Sequence, residues 1–255
     1  MNLLISLRSE LLKTRRTASF YLTLIGAAVG PVIYLFNVLV DEDEIDASTK
    51  DPLNALFKIL SEMNGAVFFP WFIILICTLL PQVEYRNNTW KQIFASPQTK
   101  ANVFLAKFMN VHLLMLVFLM ATHLFMFLTI IGINFIKPTL NLFKHSLYGS
   151  AVLVNAANAY ILMLGVCAIQ FWIGLRFRNF IVPIGMGLAL WLTGTLLALH
   201  FNPNLAYYFP YSFHAFPLSP KLKPQLTQIA WTSLGYALLF LIVGFFDFRR
   251  RTVSK

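Results

Sequence analysis

Apolar positions run almost unbroken through six stretches of this chain, and polar positions gather between them. The stretches lie at about 18–40, 63–83, 103–133, 146–175, 180–200 and 226–246. Each approaches or exceeds the ~20 residues that a helix needs to cross a hydrocarbon core about 30 Å thick. The alternation of a barrel strand is absent, because apolar residues are continuous along each stretch. The pattern therefore predicts an all-α integral membrane protein with six spans. Gly30-Pro31 predicts a kink in the first. That first run is too long for a signal core and lacks a small-residue cleavage site, so it reads as a span.

Residues 2–16, NLLISLRSELLKTRR, have a different period. Leu4, Leu7 and Leu11 recur at helical spacing, and Leu3 and Leu12 widen the stripe. Arg8, Glu10, Lys13 and Arg15 lie off it. This predicts a short amphipathic helix in the membrane interface, apolar face toward the lipid. No internal repeat or low-complexity tract divides the chain, so residues 1–255 read as one membrane domain.

Composition agrees. Phe alone, at 25, outnumbers Lys and Arg together, at 20, which is too apolar for a soluble domain of this length. The basic residues carry topological information. With the N-terminus in the cytoplasm, fourteen of the twenty fall on the inner side, and the acidic run DEDEID at 41–46 falls outside. Six spans with both termini inside satisfy the positive-inside rule at every loop. The net charge of +10 is thus a signature of orientation and does not point to nucleic acid.

Chemistry is sparse. The span centres carry no Asp, Glu, Lys or Arg, and neither H-E-x-x-H nor G-x-S-x-G occurs. The sequence therefore predicts no catalytic residue. Cys77 and Cys167 both fall in apolar spans and read as small packing residues. His112 and His123 share a face of the third span, too far apart for one metal, and read as interhelical contacts. His145, His200 and His214 lie on the outer side without regular ligand spacing, so no metal site is expected. Asn155 and Asn158 sit one turn apart on the fourth span, with Gln170 further on. They read as interhelical hydrogen bonds; the alternative is a polar pathway or subunit seam. No G-x-x-x-x-G-K-[ST] phosphate loop is present, so any nucleotide would be hydrolysed on another chain.

One polar stretch remains, EYRNNTWKQIFASPQTKANVFLAK at 84–107, on the cytoplasmic side. Thr89 to Phe94 can form a short helix with Trp90, Ile93 and Phe94 on one side, capped by Asn88 or Thr89 and ended by Pro97. An apolar face on so short a helix suits either a partner surface or lipid headgroups. Glu84, then Asn88-Thr89-Trp90, Pro97, Lys100 and Lys107 resemble the loop between spans two and three of type-2 ABC transporter permeases. Asn88 replaces the usual Gly, and Lys100 stands where Arg is common; Asn tolerates a left-handed backbone, and Lys keeps the charge.

The rest of the chain is similar to the same family: an interfacial helix, six spans, and an extended connection at 200–224 resembling the family's outer re-entrant hairpin. In length and layout it looks most like the lantibiotic-exporting, bacteriocin-immunity branch. The resemblance implies an exporter of amphipathic, peptide or lipid-like cargo in a bacterial inner membrane. Two permeases, identical or paralogous, would pair into a twelve-span channel. Each would dock a separate ATPase carrying ATP and magnesium, with no cofactor on this chain. The helix at 89–95 would couple the two, with Glu84, Arg86, Thr89, Trp90, Lys91, Ile93, Phe94, Pro97 and Lys100 as its working residues. Glu84 and Arg86 would anchor the loop, through Arg15 or Glu10 of the first helix. A non-transporting scaffold, a secondary carrier and a membrane enzyme remain as alternatives; the first two would need no ATPase.

Overall fold

The computed structural model describes residues 3–15, 17–40, 50–201 and 203–250. The acidic run at 41–46 lies outside them. The elements are α1 (Leu3–Thr14), α2 (Ala18–Val40), α3 (Pro52–Met63), α4 (Phe69–Arg86), α5 (Trp90–Ala95), α6 (Lys100–Ile136), α7 (Gly149–Leu162), α8 (Leu164–Arg176), α9 (Ile181–Leu196), α10 (Pro203–Ala206) and α11 (Leu226–Arg250). No strand occurs among the described residues. Five helical stretches are long and apolar enough to cross a membrane, and the count is six if the pair α7–α8, bent by 41° around Met163, is one broken span rather than a re-entrant loop. The helix expected at 146–175 is therefore broken. The kink expected at Gly30-Pro31 leaves α2 a single unbroken helix.

The second span starts well before the expected 63. Pro52–Arg86 forms one helical run of 35 residues. Its start is well specified: Asp51 caps α3, accepting from the Asn54 backbone N–H at 3.2 Å and the Asn54 Nδ2 at 2.8 Å, and Pro52 takes the first turn. A π-helical turn at Asn64–Phe68 joins α3 to α4. Pro70 has no N–H, so it cannot serve the Ala66 carbonyl four residues back. The Trp191 indole N–H donates to that carbonyl instead, at 3.2 Å, tying α9 to the irregular turn.

Two apolar clusters hold the bundle. The larger centres on stacked rings, with Phe72 and Phe118 at 4.2 Å and Phe69 and Phe118 at 5.7 Å, and extends through α8 to α11. The smaller joins Tyr34 and Val38 of α2, Leu56 and Leu60 of α3, and Ile130 and Ile133 near the end of α6. Helices approach closely where side chains vanish. A Cβ on Gly174 of α8 would strike the Cys77 carbonyl of α4. Cys77 and Cys167 are free, buried and 4.0 Å apart at sulfur.

The connection between α9 and α11 is built inward. After α10, a 3₁₀ run at Pro210–Leu218 buries Tyr211, Phe213, His214 and Phe216 among the helices. The Tyr211 hydroxyl donates to Gln170 Oε1 of α8 at 2.9 Å, and Gln170 Nε2 donates to the Pro183 carbonyl of α9 at 2.8 Å. Gln170 thus forms the interhelical bonds its sequence position suggested. His112 pairs with the Tyr160 hydroxyl at 2.8 Å, whereas His123 bonds within its own helix, to the Leu119 carbonyl.

Candidate functional site

At the end of the bundle where α4 gives way to α6, four charged groups meet. α1 lies against α6 and turns a polar stripe inward: Ser6, Glu10 and Thr14, spaced four apart, are its buried residues. The leucine stripe points the other way, with Leu4 75% and Leu12 62% exposed. This is the arrangement lipid favours. Outward leucines suit a hydrocarbon surface, and inward polar groups must find partners among themselves.

Glu10 finds two. Its Oε1 accepts from Lys13 at 2.8 Å, and its Oε2 from Lys107 of α6 at 2.8 Å. Glu84, in the last turn of α4, accepts from the same two ammoniums through Oε1, at 2.6 Å from Lys107 and 3.1 Å from Lys13. Lys107 is 1% exposed, and its ammonium also lies 5.5 Å from the Trp90 ring centroid. Two carboxylates and two ammoniums cancel in charge, which is the condition for tolerating such burial. Asn110, one turn on from Lys107, donates to Thr14 Oγ1 at 2.7 Å, and Ser6 donates to Gln98 Oε1 at 3.1 Å. Three elements distant in sequence are thereby joined by charge.

The expected anchor was Glu84 with Arg86, acting through Arg15 or Glu10. Glu84 and Glu10 do meet, but through lysines. Arg86 and Arg15 are exposed and make no ion pair among the described residues. Arg8 likewise stays on the exposed face of α1. Lys107 is the hub, a role the sequence reading did not assign it. Its signal was there: a lysine two turns into a largely apolar helix, with Asn110 at i+3.

Burial pushes the Glu10 carboxyl up, but the charges of Lys107 and Lys13 more than offset this and hold its pKa below the usual 4.5. Burial likewise lowers Lys13, yet Glu10 and Glu84 raise it above its usual 10.5. A depressed acid stabilises above its unfolded pKa and loses that contribution as pH falls through its folded value. A raised base stabilises below its unfolded pKa and loses that contribution as pH rises through its folded value. The attachment of α1 is thus expected to hold between about pH 5 and 10 and to weaken below about pH 4.5. Thermal unfolding in detergent from pH 3 to 7 checks this: Glu10→Gln lowers the plateau and flattens the acid limb.

The turn into α5 is closed by backbone hydrogen bonds. Thr89 N–H donates to the Glu84 carbonyl at 3.0 Å and Asn88 N–H to Tyr85 at 3.4 Å, with Asn88 at φ 53°. This is a Schellman closure of α4, with asparagine at the left-handed position that most often takes glycine. Thr89 begins α5 without a side-chain cap. At the far end, Ser96 Oγ bonds the Ile93 carbonyl at 2.7 Å, Pro97 follows exposed, and Thr99 caps α6 through the Asn102 N–H.

The apolar face of α5 was read as free for a partner or headgroups. The structure turns it inward. Trp90, Ile93 and Phe94 are half-buried against the chain's own core. Trp90 and Phe94 stack at 5.7 Å, and both meet Phe248 at the end of α11. Lys100 completes the contact, donating to the Arg249 carbonyl at 2.9 Å with its ammonium 5.3 Å from the Phe94 ring centroid. Lys91, Gln92 and Ala95 are left facing out, and the first two are its polar outer residues.

At the opposite end, Asn155 and Asn158 of α7 border a cavity and make no side-chain hydrogen bond among the described residues, so the interhelical bonds read for them do not form there. His145 lies 3.9 Å from Asp51, and His214 bonds Thr195 at 3.0 Å. No three His, Cys, Asp or Glu side chains gather as metal ligands among the described residues.

Apolar crossing helices define a multi-pass membrane protein. Its lineage is specific: the model of the ABC-2 family transporter proteins matches residues 6–194, most of the chain, from α1 into α9. The chain belongs to that family. Comparison with curated proteins returns no match.

Proposed function

We propose that this chain is the membrane-spanning permease subunit of an ATP-driven exporter, and that α5 is where it meets a separate ATP-hydrolysing subunit. The observation that carries the reading is the anchoring of α5. A six-residue helix is marginal alone. Here it is closed onto α4, stacked on α11 and set over the buried charge cluster shared with α1 and α6. Force applied to its outer face reaches the spans without passing through a loose linker. ATP and magnesium sit on the partner, and this chain hydrolyses nothing. Two copies, or this chain and a paralogue, form the channel in a bacterial inner membrane with both termini in the cytoplasm. Cargo is amphipathic, either peptide or lipid-like, with bacteriocin immunity the role that fits the layout.

The test is recovery of partners. Tagged chain is taken from native membranes in mild detergent, the co-purifying proteins are identified, and ATPase activity is assayed. A subunit with a phosphate loop is expected, and Lys91→Glu with Gln92→Glu is expected to reduce its recovery about tenfold, as a loss of roughly 1.4 kcal/mol would. A folded chain with no ATPase partner would overturn the reading and favour a scaffold or secondary carrier.

A further inference from the structure

The end of the bundle away from α5 holds a cavity of about 360 Å³ between α3, α7 and the connection into α11. That is within the range of ligand pockets. Its polar border is Lys58 and Glu62 of α3, Asn155 and Asn158 of α7, and Lys223 before α11. Among the described residues, none of these five side chains makes a hydrogen bond or ion pair. Lys58 and Glu62 are one helical turn apart with opposite charges, the spacing at which such groups can pair. Here they stand separately at the rim. Lys58 and Lys223 are exposed and Glu62 is half-buried, so these charges stay open to a ligand at the cavity mouth.

The remaining wall is mostly aliphatic, with Val154, Leu162, Met163 and Leu226, and also carries Ser61 and the buried His214 imidazole. A second cavity of about 210 Å³ shares Lys58, Ser61, Ala151 and Asn155 with the first, so the space continues along α7. α7 itself offers apolar surface outward, Leu153 at 72% and Val154 at 57% exposed. Cations, an anion and amides thus sit together beside a path for a hydrocarbon chain.

We propose that this cavity binds one bilayer phospholipid by its head, and that the head is phosphoethanolamine. Lys58 and Lys223 take the phosphate, and the Asn155 and Asn158 amides donate to its remaining oxygens. Glu62 takes the ammonium. A primary ammonium fits better than a quaternary one for a stated reason. Quaternary ammoniums are held by aromatic faces; Phe57 and Tyr148 line only the second cavity, which Glu62 does not border, and no Phe, Tyr or Trp lines the first. A primary ammonium instead donates hydrogen bonds, which a carboxylate and amide oxygens accept. A glycerol head carries no cation, so it would leave Glu62 without a partner while Lys58 and Lys223 hold the phosphate. The site is separate from the α5 end and does not depend on what docks there.

The test uses the full chain, stripped of lipid in detergent and incubated with vesicles of equal parts phosphatidylethanolamine, phosphatidylcholine and phosphatidylglycerol of identical acyl chains. Native mass spectrometry then reads the lipid retained. One molecule of phosphatidylethanolamine is expected, preferred about tenfold over each of the others. Glu62→Gln is expected to erase the preference while leaving one lipid bound. Lys58→Gln with Lys223→Gln is expected to reduce retention of all three. Each variant is compared at unchanged melting temperature, and because these residues line an open cavity rather than the core, folding is expected to survive. Equal retention of the three lipids by the wild type would overturn the proposal, as would an undiminished preference in Glu62→Gln.

Discussion

Replacing Lys107 with methionine is expected to be the most damaging single change in the chain. The substitution keeps the volume and removes the charge. Glu10 and Glu84 are then left facing each other with only the partly exposed Lys13 between them. Removing one partner from a buried ion pair costs about 3–5 kcal/mol, because the remaining charge stays buried. For a chain of this size, that corresponds to a fall of roughly 10 °C in melting temperature. The matched control is the triple change Lys107→Met, Glu10→Gln, Glu84→Gln, in which no buried charge is orphaned; Lys13 loses both carboxylates, but its side chain is 39% exposed and its ammonium can be solvated. It is expected to recover most of the lost stability. The triple variant also separates two roles of the cluster. If the cluster only holds α1 in place, the recovered protein is fully active. If it carries force from α5, the recovered protein binds its ATPase and allows ATP turnover without export. Melting curves and a transport assay on the same preparations decide the matter.

Gly194→Ala is expected to have the next largest effect. The added methyl meets the backbone of Tyr211 and Ser212, which cannot rotate away as a side chain could. α9 and the buried 3₁₀ run must separate. The Thr195–His214 bond at 3.0 Å and the Tyr211–Gln170 bond at 2.9 Å stretch with them. Overpacking of this kind costs about 1–3 kcal/mol and more where backbone is the obstacle. Gly185→Ala and Gly235→Ala provide the contrast, since a Cβ at either meets nothing within 4 Å. Alanine is the better helix former by about 1 kcal/mol, so those variants are expected to be neutral or slightly stabilised. A Gly194→Ala protein melting with the wild type would show that the 3₁₀ run is loosely held.

Both sites show how far the sequence could be read. Spans were legible because hydropathy is a sum over many residues, and no single contact can overturn it. The start of the second span was missed because Asn54, Lys58 and Glu62 break the apolar run, although Asp51-Pro52 announces a helix start directly. The break at Met163 has no proline to mark it. In α1 the leucines were found, yet the polar positions Ser6, Glu10 and Thr14 form the packed face. Periodicity gives a stripe, and only the surrounding medium decides which stripe is buried. Glu84 was singled out by resemblance, whereas its bond to Lys107 spans 23 residues and depends on how tightly α5 folds between them. The inward face of α5 follows from Phe248, more than 150 residues away, which no local pattern can supply.

The length of α6 has a mechanical consequence. Its 37 residues extend about 55 Å, nearly twice the thickness of a hydrocarbon core. One end holds Lys107 and the charge cluster; the other holds Ile130 and Ile133, packed against Leu56 and Leu60 of α3. A tilt of about 5° around its α5 end would carry the opposite tip of such a rod through about 5 Å, given that length. That tip leans on α3, which carries Lys58 and Glu62. Under the proposed coupling, a small angular stroke at the α5 end is therefore expected to widen or narrow the space bordered by α3.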